Sequence, residues 1–193
     1  MIKNKFLLSS IMLLTLSISS CKNEPATPKP RGYFRIDLPQ KEYQQYNSTC
    51  PYTFEYSKYA NISADPYFPN KKCWININYP GINGKIHISY KKLNNNLSKF
   101  TEESRELAYK HTIKAESINE KIFLKPGRSV YGTLYNIKGN TASSVQFYLT
   151  DSTNHFLRGA LYFNVQPNKD SLAPVINFVK EDITVLIESF KWK

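Results

Sequence analysis

Histidine, cysteine and glycine are scarce in this chain, with 3, 3 and 7 copies among 193 residues, and each shortage narrows the functions open to it. His87, His111 and His155 are far apart and show no paired ligand spacing, so the pattern offers no metal centre. There is no Gly-x-Ser-x-Gly elbow, no Gly-x-x-x-x-Gly-Lys phosphate loop, no His-Glu-x-x-His and no paired cysteine knuckle. These absences remove the short-motif arguments for an enzyme, and no cofactor is implied. Beyond residue 18 no apolar run is long enough to cross a bilayer. Acidic residues are outnumbered, 15 against 26 Lys and Arg, which leaves a formal charge of +11 and favours anionic surfaces.

What is present begins at the N-terminus. Lys3 and Lys5 precede an apolar stretch from Phe6 to Ile18, and Ile18-Ser19-Ser20-Cys21 closes it as a lipoprotein cleavage box. Residues 1–20 therefore read as a signal peptide and Cys21 as the site of lipid attachment, carrying acyl chains such as palmitate. The apolar stretch is shorter than the roughly 20 residues a spanning helix needs, so the mature chain is expected to be tethered rather than inserted. Loss of Lys3 and Lys5 lowers the formal charge from +11 to +9. In an envelope the anionic partners are headgroups, glycans or acidic proteins, and nucleic acid is excluded by topology.

With Cys21 assigned to lipid, Cys50 and Cys73 form an even pair in an oxidising compartment and are expected to be disulfide-bonded. The lipidated cysteine and a polar, proline-rich tether occupy residues 21–32, and a single globular domain is expected over 33–193. Tyr52 to Tyr56 alternates like a half-buried strand. Cys73 to Tyr79 and Lys85 to Tyr90 alternate about the turn Pro80-Gly81-Ile82-Asn83-Gly84 and predict a hairpin, with His87 on the solvent face beside Ser89. Asn94-Asn95-Asn96 caps a helix expected through Ile113.

Val130–Ile137, Ala142–Thr150 and His155–Phe163 predict an antiparallel meander. A last helix starts near Asp170-Ser171, with Leu172, Val175, Ile176, Val179, Ile183, Leu186, Ile187 and Phe190 at helical spacing. Pro174 is expected in its first turn. The class is α+β, a twisted antiparallel sheet covered by helices, and the order of elements is similar to the Mog1/PsbP-like arrangement.

The one cluster with catalytic residue types is Asp151-Ser152-Thr153-Asn154-His155 with Arg158. A hydrolase there needs the His155 base within reach of the Ser152 hydroxyl. The same residues are also good turn formers, and the turn is the favoured reading. Arg158 shares a strand side with Phe156, Ala160 and Tyr162 and calls for a carboxylate or carbonyl partner. Fourteen tyrosines supply amphipathic surface suited to protein interfaces.

Several stretches resemble one family: Pro28-Lys29-Pro30-Arg31-Gly32-Tyr33-Phe34-Arg35-Ile36-Asp37-Leu38-Pro39, Cys50 to Tyr56, Tyr109 to Ala115, Thr150-Asp151-Ser152, and His155 through Phe163, continuing over Pro167 to Leu172. They are similar to the gliding motility lipoprotein GldD family of Bacteroidota. The resemblance implies a non-enzymatic lipoprotein of the machinery that couples gliding to type IX protein secretion. It implies other gliding or secretion proteins, themselves lipoproteins, as partners, and it brings no catalytic residues with it. Asp151-Ser152-Thr153 and Asp170-Ser171-Leu172 resemble the O-glycosylation triplets of that phylum, which makes Ser152 and Ser171 candidate acceptors. Lys22-Asn23-Glu24 only partly resembles a surface-export signal, so a periplasm-facing place at the outer membrane is expected. The candidate interaction residues are Tyr33, Phe34 and Arg35, and Tyr109, Lys110 and His111. The competing readings are a binder of an anionic envelope polymer such as peptidoglycan and an envelope hydrolase using 151–158.

Overall fold

Alternation of apolar and polar residues builds most of this molecule, a computed structural model in which residues 36–193 are described. Cys21 and the segment Tyr33, Phe34 and Arg35 lie outside the described residues. The compact unit Ile36–Lys193 contains ten strands and two helices. In chain order they are β1 (Tyr43–Tyr46), β2 (Tyr52–Ser57), β3 (Asn61–Ala64), β4 (Ile75–Tyr79), β5 (Gly84–Lys92), α1 (Leu97–Tyr109), β6 (Ala115–Lys125), β7 (Val130–Gly139), β8 (Val145–Thr150), β9 (His155–Phe163), α2 (Lys169–Ser189) and β10 (Lys191–Trp192).

Seven strands form one antiparallel sheet in the order β3-β4-β5-β9-β8-β7-β6, and β1-β2-β10 form a small second sheet. The class is α+β, as the patterning implied. Register follows burial: Ile75 pairs with Ile88 and Ile77 with Ile86, which sets one face of β4 and β5 toward the core. That face carries Ile77, Ile86, Phe147, Leu149, Leu157 and Leu161, all buried, each contributing about 1.5–3 kcal/mol on leaving water.

α2 covers this face together with the small sheet. Its buried residues Val175, Val179, Ile183, Leu186 and Ile187 recur at three- and four-residue intervals. The Asn168 side chain caps it by accepting the Asp170 and Ser171 N–H groups. Because the helix starts at Lys169, Pro174 falls in the second turn rather than the first, where its ring removes the bond to the Asp170 carbonyl. α1 packs on the opposite face, where Ala108 meets Tyr135, Ile137 and Tyr148.

The Cys50–Cys73 disulfide is formed, with its Cα atoms 5.6 Å apart, and ties the start of β2 to the loop before β4. Both proline-glycine turns, Pro80–Ile82 and Pro126–Arg128, end in a left-handed residue, Asn83 and Ser129. α1 ends at Tyr109, short of Ile113, and the chain then makes a turn and enters β6.

Candidate functional site

The outer face of the sheet, half covered by α1, holds the polar side chains that the strand pattern turned away from the core. His87 is not simply solvent-exposed there: its Nδ1 lies 2.9 Å from Asn76 Oδ1 and 3.3 Å from Asp65 Oδ2, a carboxylate that is itself buried. Asp65 and Trp74 of the β3–β4 loop and Asn76 of β4 surround its ring, so the alternating pattern alone misjudged its environment. Burial holds its pKa below the ordinary histidine value, although Asp65 pulls the other way. A cleft of about 190 Å³ beside it is lined by Trp74, His87, Phe100, Glu103, Phe156 and Arg158. Arg158 donates to a neutral amide, Gln146 Oε1 at 2.5 Å, and interacts with Tyr162, while burial lowers the guanidinium's affinity for its proton.

The 151–158 segment is a turn closed by its own carboxylate. Asp151 Oδ1 accepts the backbone N–H groups of Thr153, Asn154 and His155 at 3.0, 2.8 and 2.8 Å. Burial alone would raise the Asp151 pKa, but these three donors outweigh it and hold the carboxylate below its usual range. Ser152 sits exposed at φ 72°, and His155 Nδ1 is 2.7 Å from the Tyr90 hydroxyl. His155 Nδ1 is thus engaged by Tyr90, and among the described residues no hydrogen bond joins the imidazole to the Ser152 hydroxyl, as a hydrolase would require. Ser171 lies in the first turn of α2, part-exposed, with its N–H on the Asn168 cap.

At the far edge of the sheet the Tyr109 hydroxyl donates to Glu120 Oε1 at 2.9 Å, which joins the end of α1 to β6. Arg105 lies over the Tyr109 ring, 5.2 Å from its centroid. Lys110 is exposed and His111 half-buried in the turn that follows. Beyond them Ile113, Ile122 and Leu124 are 94%, 68% and 69% exposed. Ile122 and Leu124 lie on the α1 side of the sheet, opposite Thr133 and Tyr131 of β7. Among the described residues no strand pairs with the outer edge of β6, so a long row of backbone N–H and C=O groups is left open.

A third feature was not foreseen from the sequence. Asp182, buried on α2, receives Lys41 Nζ at 2.6 Å and the Tyr43 hydroxyl at 3.1 Å on Oδ1, and the Tyr59 hydroxyl at 2.6 Å on Oδ2. Lys41 also donates to the Phe178 carbonyl and stands 3.5 Å over the Phe178 ring. Burial, then the Asp182 charge, pushes the Tyr43 hydroxyl up to about 12 and raises Tyr59 as well. The only sequence signal was a carboxylate inside the apolar stripe Val179, Asp182, Ile183, Leu186, which demands buried partners.

Residues 23–192 match the family described as gliding motility lipoprotein GldD. The chain belongs to that family. The GldD family is one of lipoproteins, which places the protein in the cell envelope on a lipid anchor, and membership offers no sign of catalysis. No curated protein matches the chain. Among solved structures it is similar to cyanobacterial PsbP (CyanoP) from Synechocystis sp. PCC 6803, with 12% identity and a TM-score of 0.48 over 81% of this chain and 95% of that one. Among the described residues no helix is long and apolar enough to cross a membrane, and no three His, Cys, Asp or Glu side chains gather as a metal site would require.

Proposed function

We propose that this GldD-family protein is a non-enzymatic, lipid-tethered component of the gliding and type IX secretion machinery that works by holding another envelope protein. It sits at the outer membrane and faces the periplasm. The observation that carries the reading is the open edge of β6, an 11-residue strand that bears exposed Ile122 and Leu124 and follows exposed Ile113 and the segment Tyr109, Lys110 and His111. Soluble domains ordinarily shield such an edge, because it can pair with any extended chain; a partner strand added here gains main-chain hydrogen bonds and apolar contacts together. The tether supports the reading, since confining two proteins to one membrane raises their effective concentration and lets a modest interface be occupied.

A photo-crosslinking residue at Ile122, used in intact cells and read by mass spectrometry, tests this. The expected product is an adduct with another gliding or secretion component, which the same probe at exposed Lys58 does not give. If no such component rises above the Lys58 background, the reading falls.

A further inference from the structure

The loop joining β3 to β4 is the opposite of a mobile surface segment. Asp65 Oδ1 accepts the Tyr67 N–H at 2.9 Å, the Phe68 and Lys71 N–H groups bond back to the Asp65 and Phe68 carbonyls, and the Trp74 N–H bonds to the Lys71 carbonyl. The Cys50–Cys73 bridge and the Trp74 indole N–H, donated to the Tyr90 carbonyl at 2.6 Å, hold its end. This fixed scaffold nevertheless presents two large rings to water: Tyr67 is 84% exposed and Phe68 47%. Behind them Lys71, Lys72, Lys91 and Lys92 surround an open concavity of about 750 Å³ with Trp74, Tyr90 and Phe100. Lys91 is paired with Glu103 at 3.1 Å, whereas Lys71, Lys72 and Lys92 make no ion pair among the described residues.

We infer that this loop docks on an anionic lipid bilayer, with Tyr67 and Phe68 in the headgroup region and Lys71, Lys72 and Lys92 on lipid phosphates. A tyrosine ring, with one polar end, settles at the membrane interface, a phenyl ring beside it adds apolar area, and clustered lysines add an electrostatic attraction that salt weakens. An acyl anchor combined with a basic patch holds a protein to a membrane more firmly than either signal alone. A rigid loop also loses little conformational entropy on docking. A glycan fits less well. The ring best placed to stack on a sugar, Trp74, is covered by Phe68 at 4.7 Å between centroids, and its N–H is already committed. The inference does not depend on the β6 interface, because the two surfaces lie at opposite edges of the sheet.

The test uses the mature chain with Cys21→Ser, which keeps tether and domain and removes acylation, in co-sedimentation with vesicles. Phosphatidylcholine vesicles containing roughly one-third phosphatidylglycerol should bring it down at low salt, and pure phosphatidylcholine should not. Tyr67→Ser/Phe68→Ser and Lys71→Glu/Lys72→Glu should each weaken binding by about tenfold or more. Lys114→Glu/Lys138→Glu, the same charge change at the other edge, should leave it within about twofold. Tyr67→Trp adds a readout on an otherwise intact chain, its emission shifting to the blue on anionic vesicles. Equal binding to both vesicle types, equal loss in the Lys114/Lys138 variant, or binding to isolated cell wall without binding to vesicles would overturn the inference.

Discussion

The Tyr90 hydroxyl lies 2.7 Å from His155 Nδ1, and with that contact β5 takes the imidazole that a hydrolase at Ser152 would need. Ser152→Ala is therefore expected to leave both the unfolding midpoint and motility or secretion in cells unchanged. Asp151→Ala strands three backbone donors and should cost roughly 1–2 kcal/mol, read by urea denaturation. A loss of function with Ser152→Ala in a stably folded protein would reopen the enzymatic reading.

Removing the carboxylate of Asp182 takes the close counter-ion from a mostly buried ammonium, which keeps the Phe178 carbonyl, and takes an acceptor from two hydroxyls. Asp182→Ala should destabilise the domain by about 3–5 kcal/mol, and Asp182→Asn, which keeps an oxygen, by about 1–3 kcal/mol. Urea unfolding of the two variants beside the parent checks both the size and the order.

The Cys50–Cys73 bridge closes a separation of 23 residues. Cys50→Ser/Cys73→Ser should lower stability by about 3 kcal/mol, and alkylation of freshly isolated protein without reduction should leave the mass unchanged. Two alkylated thiols would show the pair to be reduced in the cell.

Acid should weaken the fold through His87. Its pKa in the folded state is lowered by burial, so the unfolded chain binds the proton more readily. The neutral ring's contribution is complete above the unfolded value of about 6.5 and is lost as the pH falls below it. His111, also lowered by burial, acts in the same sense. Melting temperatures measured from about pH 7.5 down to 5 should fall in the parent and fall less steeply in His87→Gln/His111→Gln.

Ile122→Asp/Leu124→Asp changes side chains that are already about two-thirds in water. Stability should move by less than about 0.5 kcal/mol, while capture of the partner at β6 should be lost. A comparable loss of both would mean that these residues serve the fold.

Legibility in the sequence tracked burial. β4, β5, β7 and β9 announce themselves because each has a core face and so must alternate; Ile75, Ile77, Ile86 and Ile88 are unmistakable. β6 was passed over because only Phe123 along its length is buried, so Ala-Glu-Ser-Ile-Asn-Glu-Lys-Ile carries no period-two signal. β1 and β3 are short and largely exposed, and β10 has two residues; pairing geometry creates them, and no local preference does. The turn at 151–154 was readable because Asp, Ser and Asn bond their own backbone. The Asp182 cluster was not, since Lys41 and Asp182 are 141 positions apart and only the folded sheet brings them together.

Lys41, Tyr43 and Tyr59 converge on Asp182 close to the start of the described residues, and under the proposed tether this cluster bears on how the domain would carry mechanical load. Under the proposed tether, tension would reach the domain ahead of β1, a four-residue strand paired antiparallel with β2. Pulled from its first residue alone, such a strand peels away one hydrogen bond at a time. The Asp182 contacts would share that load with α2, whose apolar stripe is packed on the sheet along a helix of 21 residues rather than along one short strand.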